Sequence, residues 1–154
     1  MRKICNKILP YLAMFCFIQT CGDFANADEV WQSRWNHGAT EAFISKDSNN
    51  YIIVSCEPKD YGADVFIIFR IQGTIPPGER IGLSFDGGDF LYFNIHNGAI
   101  TNINNKCPSC MYGYQKIINS FKKFNRVTVL SENKESATFS LKGASKEIYD
   151  CRVN

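Results

Sequence analysis

The chain has 154 residues, with 45% hydrophobic and 21% charged residues, and its formal net charge is +2. The whole of this excess lies in residues 1–27, which contain Arg2, Lys3 and Lys7 against the single acid Asp23. The remaining 127 residues are neutral and long enough for one domain with a core. Their charge gives no basis for binding nucleic acid or an anionic membrane.

The N-terminal segment has the layout of a secretory signal peptide. An apolar run at 8–18 follows the basic start, and Ala25–Ala27 provides a small-residue cleavage motif. The run is shorter than the roughly 20 residues of a membrane span, so we expect no integral span. We predict cleavage after residue 27, a single domain at 28–154, and a location in the periplasm or outside the cell. Lipidation at Cys21 is the less favoured alternative.

Most of the mature chain is predicted to form short strands. Trp31 and Trp35 come first and are expected to be buried. The run at 65–71 is almost continuously apolar, which predicts a strand buried on both faces or nearly so. Alternating or β-branched segments predict further strands at 41–46, 51–56, 126–130 and 137–141, and a hairpin at 81–95.

The hairpin has a predicted register. A two-residue turn at 87–88 places Phe85 opposite Phe90 and Leu83 opposite Tyr92, as one apolar cross-strand set. We therefore expect these four side chains on the same side of the sheet.

One helix is predicted, at about 113–124, and it follows a Cys-Pro-Ser-Cys motif. Its apolar stripe consists of Tyr114, Ile117, Ile118, Phe121 and Phe124. The predicted fold class is all-β or β-rich α+β, as an antiparallel β-sandwich or partly open barrel with this one helix packed on it.

Four cysteines remain after cleavage: Cys56, Cys107, Cys110 and Cys151. An even number in an exported chain favours two disulfides, and we prefer Cys107–Cys110 with Cys56–Cys151 among the three possible pairings. A redox-active dithiol at the helix start is an alternative. The thioredoxin architecture, however, needs a parallel strand–helix–strand unit and a downstream proline, and no proline follows Pro108. A zinc site is disfavoured because structural zinc usually uses two pairs of cysteines that are close in sequence, and Cys56 and Cys151 each stand alone.

Other chemistry is not indicated. Asp86 and Asp89 could meet across the hairpin, but the further acidic positions of a calcium loop are missing, so we interpret them as solvated turn residues. His37 and His96 have no ligand partner at helical spacing. We therefore predict no cofactor, no metal and no enzymatic activity.

The order of features from Ile75 onward resembles the invasion-associated locus B family. A Pro-Gly loop at 75–79 leads to a strand and an Asp-Gly turn, then two cysteines, a helix, a hairpin and Ser-Leu-Lys-Gly-Ala at 140–144. The Val-Ser-Cys at 54–56 resembles the early cysteine strand of that family. The resemblance implies a small exported bacterial protein linked to invasion of host cells. It implies a structural role for Cys56, Cys107 and Cys110, and no catalytic residue.

These observations favour an exported, non-enzymatic binding protein of the bacterial envelope, with a protein or an envelope component as its partner. The alternatives are a thiol-disulfide oxidoreductase using Cys107 and Cys110, and a periplasmic inhibitor of a lysozyme-type hydrolase. The predicted binding residues lie in three loops, and they are Lys59, Tyr61, Pro76, Pro77, His96 and Asn97.

Overall fold

A computed structural model of the protein describes residues 29–36, 39–56, 66–101 and 108–148. The elements in chain order are β1 (Gln32–Asn36), β2 (Ala39–Asp47), β3 (Asn50–Cys56), β4 (Phe66–Arg70), β5 (Arg80–Phe85), β6 (Leu91–Asn94), β7 (Ala99–Thr101), α1 (Pro108–Lys123), β8 (Arg126–Ser131), β9 (Ser136–Ser140) and α2 (Ala144–Glu147).

The strands form two antiparallel sheets. One has five strands in the order β1-β2-β3-β4-β7, and the other has four in the order β6-β5-β8-β9. Strands β2 and β3 pair through a short polar turn, and so do β8 and β9, as alternating sequences joined by polar turns predict. The predicted antiparallel, β-sandwich-like fold class is confirmed.

Among the described residues, one hydrophobic core joins the two sheets. Every second residue of β2, β3 and β4 points inward from the five-stranded sheet, and β5, β8 and β9 contribute in the same way from the other sheet. The largest fully buried aliphatic side chains of these strands are Ile44, Ile52, Ile67, Ile81 and Leu83. The inner faces therefore hold the sheets together by apolar burial.

Helix α1 completes this core. It begins at Pro108, earlier than the predicted residue 113, because proline needs no N–H partner in the first helical turn. Its predicted stripe is buried: Tyr114, Ile117, Ile118 and Phe121 are inaccessible, and Phe124 is partly buried against the core. No helix in the described part of the chain is long and apolar enough to span a membrane.

The two tryptophans have different environments, so the expectation that both are buried is wrong for one of them. Trp31 is 2% exposed, its ring centroid lies 5.5 Å from that of Phe121, and its indole N–H donates to the Ser140 carbonyl at 3.1 Å. Trp35 is 68% exposed because it lies on β1, the edge strand of the five-stranded sheet.

The predicted register of the β5–β6 hairpin is also wrong. The tight turn is centred on Asp86 and Gly87, whose φ values are 50° and 80°, and it is closed by a 3.0 Å hydrogen bond to the Phe85 carbonyl. The strand pairing resumes only at Leu91, after residues 88–90, and it places Tyr92 opposite Gly82, not opposite Leu83. A shift of one residue reverses the faces of a strand. Tyr92 therefore lies on the outer surface of the sheet.

Candidate functional site

The outer face of the five-stranded sheet carries a continuous row of apolar side chains. Phe43 pairs with Ile53, Ile53 pairs with Ile68, and Ile68 pairs with Ala99, so the row crosses β2, β3, β4 and β7 in register. All four side chains are partly exposed. We call these four residues the outer apolar row. Within the predicted strand at 65–71, the inward residues of β4 are buried and the outward ones are partly buried.

A fixed positive charge lies on one side of this row. Arg70 pairs with Tyr51 across β3 and β4, and its guanidinium carbon lies 5.6 Å from the Tyr51 ring centroid. Stacking of this kind orients a guanidinium by cation–π attraction. The Nε atom of Arg70 is buried and has no hydrogen-bond acceptor among the described residues. Within that part of the chain no carboxylate neutralises Arg70.

The other side of the row has a neutralised arginine. Arg34 donates from Nε to one carboxylate oxygen of Glu41 at 2.8 Å, and its Nη2 forms an ion pair with the same oxygen at 2.8 Å. Asn36 donates to the second carboxylate oxygen at 3.0 Å. Glu41 is only 9% exposed, so these donors compensate for its burial. The Arg34 guanidinium also lies 5.0 Å from the centroid of the Phe43 ring. Among the described residues, Arg70 is therefore the arginine of this face that has no carboxylate partner.

A shallow groove of about 360 Å³ lies on this face. It is lined by Arg34, Phe43, Ser45, Tyr51 and Ile53. Aromatic and arginine side chains around aliphatic ones are typical of the centres of protein interfaces. None of these five residues was predicted from the sequence to form a site. The available signal was the apolar character of both faces of β3 and β4.

Two of the three predicted binding loops, those around Pro76 and around His96, are in contact with each other. His96 and Ala99 close a turn with Asn97 and Gly98 at its centre, and Gly98 packs against Ile75 of the loop between β4 and β5.

The two prolines of that loop differ in exposure. Pro76 is buried, whereas Pro77, His96 and Asn97 are exposed. Pro76 is thus part of the packing between the loops. Lys59 and Tyr61 lie outside the described residues.

The side chains of Cys56, Cys107, Cys110 and Cys151 are not described by the structure. Cys107 and Cys151 lie outside the described residues, as do the side chains of Cys56 at the end of β3 and Cys110 in the first turn of α1. The disulfides Cys107–Cys110 and Cys56–Cys151 stay predictions, as do the dithiol and hydrolase-inhibitor alternatives. The described residues contain no group of three or more His, Cys, Asp or Glu side chains placed to hold a metal ion.

A family model, YfjT, matches residues 29–148 of the chain. This span extends from just before β1 to just after α2 and therefore includes both sheets and the outer apolar row. No curated protein and no solved structure gives a significant match. The match does not bear on the resemblance to the invasion-associated locus B family, which stays a prediction.

Proposed function

This chain belongs to the YfjT family, and we propose that it is an exported, non-enzymatic protein of the bacterial envelope that binds another protein. The binding surface in this proposal is the outer face of the five-stranded sheet, centred on the outer apolar row. Export rests on the signal-peptide pattern at 1–27.

The outer apolar row is the observation that carries the proposal. An antiparallel sheet with one solvated face normally has polar residues on that face. Here Phe43, Ile53 and Ile68 stand side by side on three neighbouring strands and keep part of their surface in water. Contiguous apolar surface of this kind is characteristic of sites that another molecule covers.

Arg70 gives the surface a preference for one kind of partner. Its guanidinium is held against Tyr51 and lacks a carboxylate among the described residues. A planar guanidinium binds carboxylates with two parallel hydrogen bonds, and the apolar surroundings strengthen that interaction. A partner that places an acidic side chain beside apolar ones complements this face.

Site-specific photocrosslinking in the producing bacterium tests the binding surface. A photoreactive phenylalanine analogue at position 53 is expected to give a discrete protein adduct, because Ile53 lies in the middle of the row. The same analogue at position 116 is the matched control, since Lys116 is exposed on α1. Arg70→Glu is expected to remove the adduct at position 53. Equal adducts from both positions, or none from position 53, would contradict the proposal.

Fractionation of the cells tests export separately. The mature protein is expected in the periplasm or the medium. Its intact mass is expected to equal that of a chain starting at Asp28. A cytoplasmic protein that retains residues 1–27 would show that the export part of the proposal is wrong, whatever the crosslinking shows.

A further inference from the structure

Two aromatic rings lie on the outer face of the other, four-stranded sheet. Phe90 is 37% exposed and Tyr92 is 62% exposed. Both rings pack over Gly82 of β5, where an added Cβ would lie 3.1 Å from Phe90 Cδ1 and 3.1 Å from Tyr92 Cε1. The absence of a side chain at Gly82 lets the rings rest against the backbone.

The two rings form a platform. Their centroids are 6.4 Å apart and their planes differ by 35°, so they lie beside each other and do not stack face to face. Their contact with Gly82 limits their movement, which reduces the entropy lost when a ligand binds. This pair is separate from the outer apolar row, because it belongs to the other sheet.

A groove of about 270 Å³ runs beside Tyr92. It is lined by Arg80, Gly82, Tyr92, Leu130, Ser131 and Glu132. Arg80 provides hydrogen-bond donors, and the Glu132 carboxylate provides acceptors. Glu132 is positioned by a 3.3 Å hydrogen bond from the backbone N–H of Glu79. The opposite charges of Arg80 and Glu132 give the groove no net charge.

We propose that this surface binds a neutral oligosaccharide. The C–H groups on one face of a sugar ring are weakly electropositive and pack against the negative face of an aromatic ring, here Tyr92 and Phe90. Sugar hydroxyls both donate and accept, which matches the carboxylate of Glu132 and the guanidinium of Arg80. The balanced charge favours a neutral glycan over an anionic one. This inference goes beyond the proposed protein-binding function and uses a different face.

The test is a titration of the mature protein with two probes, the β-1,4-linked tetramers of N-acetylglucosamine and of glucose, followed by NMR and calorimetry. At least one probe is expected to bind, with shifts of the Phe90 and Tyr92 ring signals. Tyr92→Ala is expected to weaken binding at least tenfold. Tyr112→Ala is the matched control, because Tyr112 is a 73% exposed tyrosine on α1. Affinity is expected to be insensitive to salt, as it is for a neutral ligand.

Three outcomes would overturn the inference: no binding of either tetramer at millimolar concentration, equal effects of the two tyrosine substitutions, or affinity that falls steeply with salt. Arg70→Glu is expected to leave glycan binding unchanged, since Arg70 lies on the five-stranded sheet. If no glycan binds, the glycan inference is wrong, and the protein-binding proposal still depends only on the crosslinking result at position 53. Thermal melting of each variant checks that it is folded.

Discussion

Asp86, in the turn after β5, accepts hydrogen bonds from Asn125, the residue between Phe124 and the start of β8. The backbone N–H of Asn125 lies 3.1 Å from one carboxylate oxygen of Asp86, and the Asn125 side-chain amide lies 3.2 Å from the other. The next backbone N–H, that of Arg126, donates to the same carboxylate at 2.8 Å. Asp86 thus ties the end of the helix to the turn of the β5–β6 hairpin.

Replacing Asp86 with alanine is expected to lower the free energy of unfolding by about 1–2 kcal/mol. Two backbone N–H groups lose their acceptor, and alanine is less tolerant than aspartate of a φ of 50°. Asp86→Asn retains one acceptor oxygen and should cost less. Urea denaturation measures the difference, with Asp89→Ala as the control for an exposed acid of the same turn region. An Asp86→Ala effect no larger than that of Asp89→Ala would refute this role.

Replacing Tyr114 with phenylalanine is expected to stabilise the protein by about 1 kcal/mol. The Tyr114 hydroxyl is buried and has no hydrogen-bond partner among the described residues, so its removal eliminates a desolvation cost. Chemical denaturation at pH 7 measures the gain. Tyr112→Phe, at an exposed position of the same helix, should leave stability unchanged.

The same hydroxyl predicts a loss of stability in alkali. Burial raises the pKa of Tyr114 above the ordinary tyrosine value of 10.0. The unfolded chain therefore releases this proton at a lower pH than the folded chain does, and stability falls as the pH rises above about 10. Tyr114→Phe should lose less stability than the wild type between pH 9 and about pH 11. If the free energy of unfolding changes with pH in the same way for both proteins, Tyr114 is not a buried, protonated group.

The two tryptophans are expected to differ sharply in their contribution to stability. Trp31→Ala should cost about 3–5 kcal/mol, because it removes a buried ring from contact with Phe121 and the hydrogen bond to Ser140. Trp35→Ala should change stability by less than about 0.5 kcal/mol, because Trp35 is exposed. Denaturation followed by circular dichroism compares them. In the Trp35→Ala variant, iodide should quench the remaining fluorescence of Trp31 only weakly.

Alanine substitutions at Gly87 and Gly98 allow the cost of backbone strain to be measured apart from the cost of side-chain overlap. Gly87 and Gly98 have φ values of 80° and 72°, so alanine costs about 1 kcal/mol at either position through the backbone alone. A Cβ at Gly87 meets nothing within 4 Å, whereas one at Gly98 overlaps Cγ2 of Ile75. Gly98→Ala should therefore be the more destabilising. In an Ile75→Ala background, the loss of stability caused by Gly98→Ala should fall towards that caused by Gly87→Ala. If the loss is as large as in the wild-type background, the contact with Ile75 is not its cause.

Regular local patterns were enough to predict most of the elements. The alternation in β8 and β9, the β-branched run of β3 and the apolar stripe of α1 appear at or near their predicted positions. Strand β7 was missed because it spans three residues, Ala99–Thr101, too few for a period of two to be distinctive. Its identity as a strand depends on pairing with β4.

The candidate site could be predicted less well. Outward residues such as Phe43 and Ile68 were visible as apolar positions, but their alignment into one row needs the strand order and register. The loops that were predicted to bind also pack against each other, because Pro76 and Gly98 are buried and Gly98 lies against Ile75. Polarity and exposure in a sequence do not distinguish a loop that is free from one that is packed.

The sequence alone determined the secondary-structure periods, the apolar stripe of α1 and the pattern of a signal peptide, because each depends on residues close together in the chain. Tertiary structure decided the register of the β5–β6 hairpin. Asp86, in the turn of that hairpin, is held by Asn125, a partner 39 positions away. That register in turn decided that Tyr92 lies on the outer face of the sheet. The Asp-Gly pair at 86–87 is a local turn signal, but its preference over Gly87-Gly88 is accompanied by this long-range contact, which forms only when the sheet and the helix pack together.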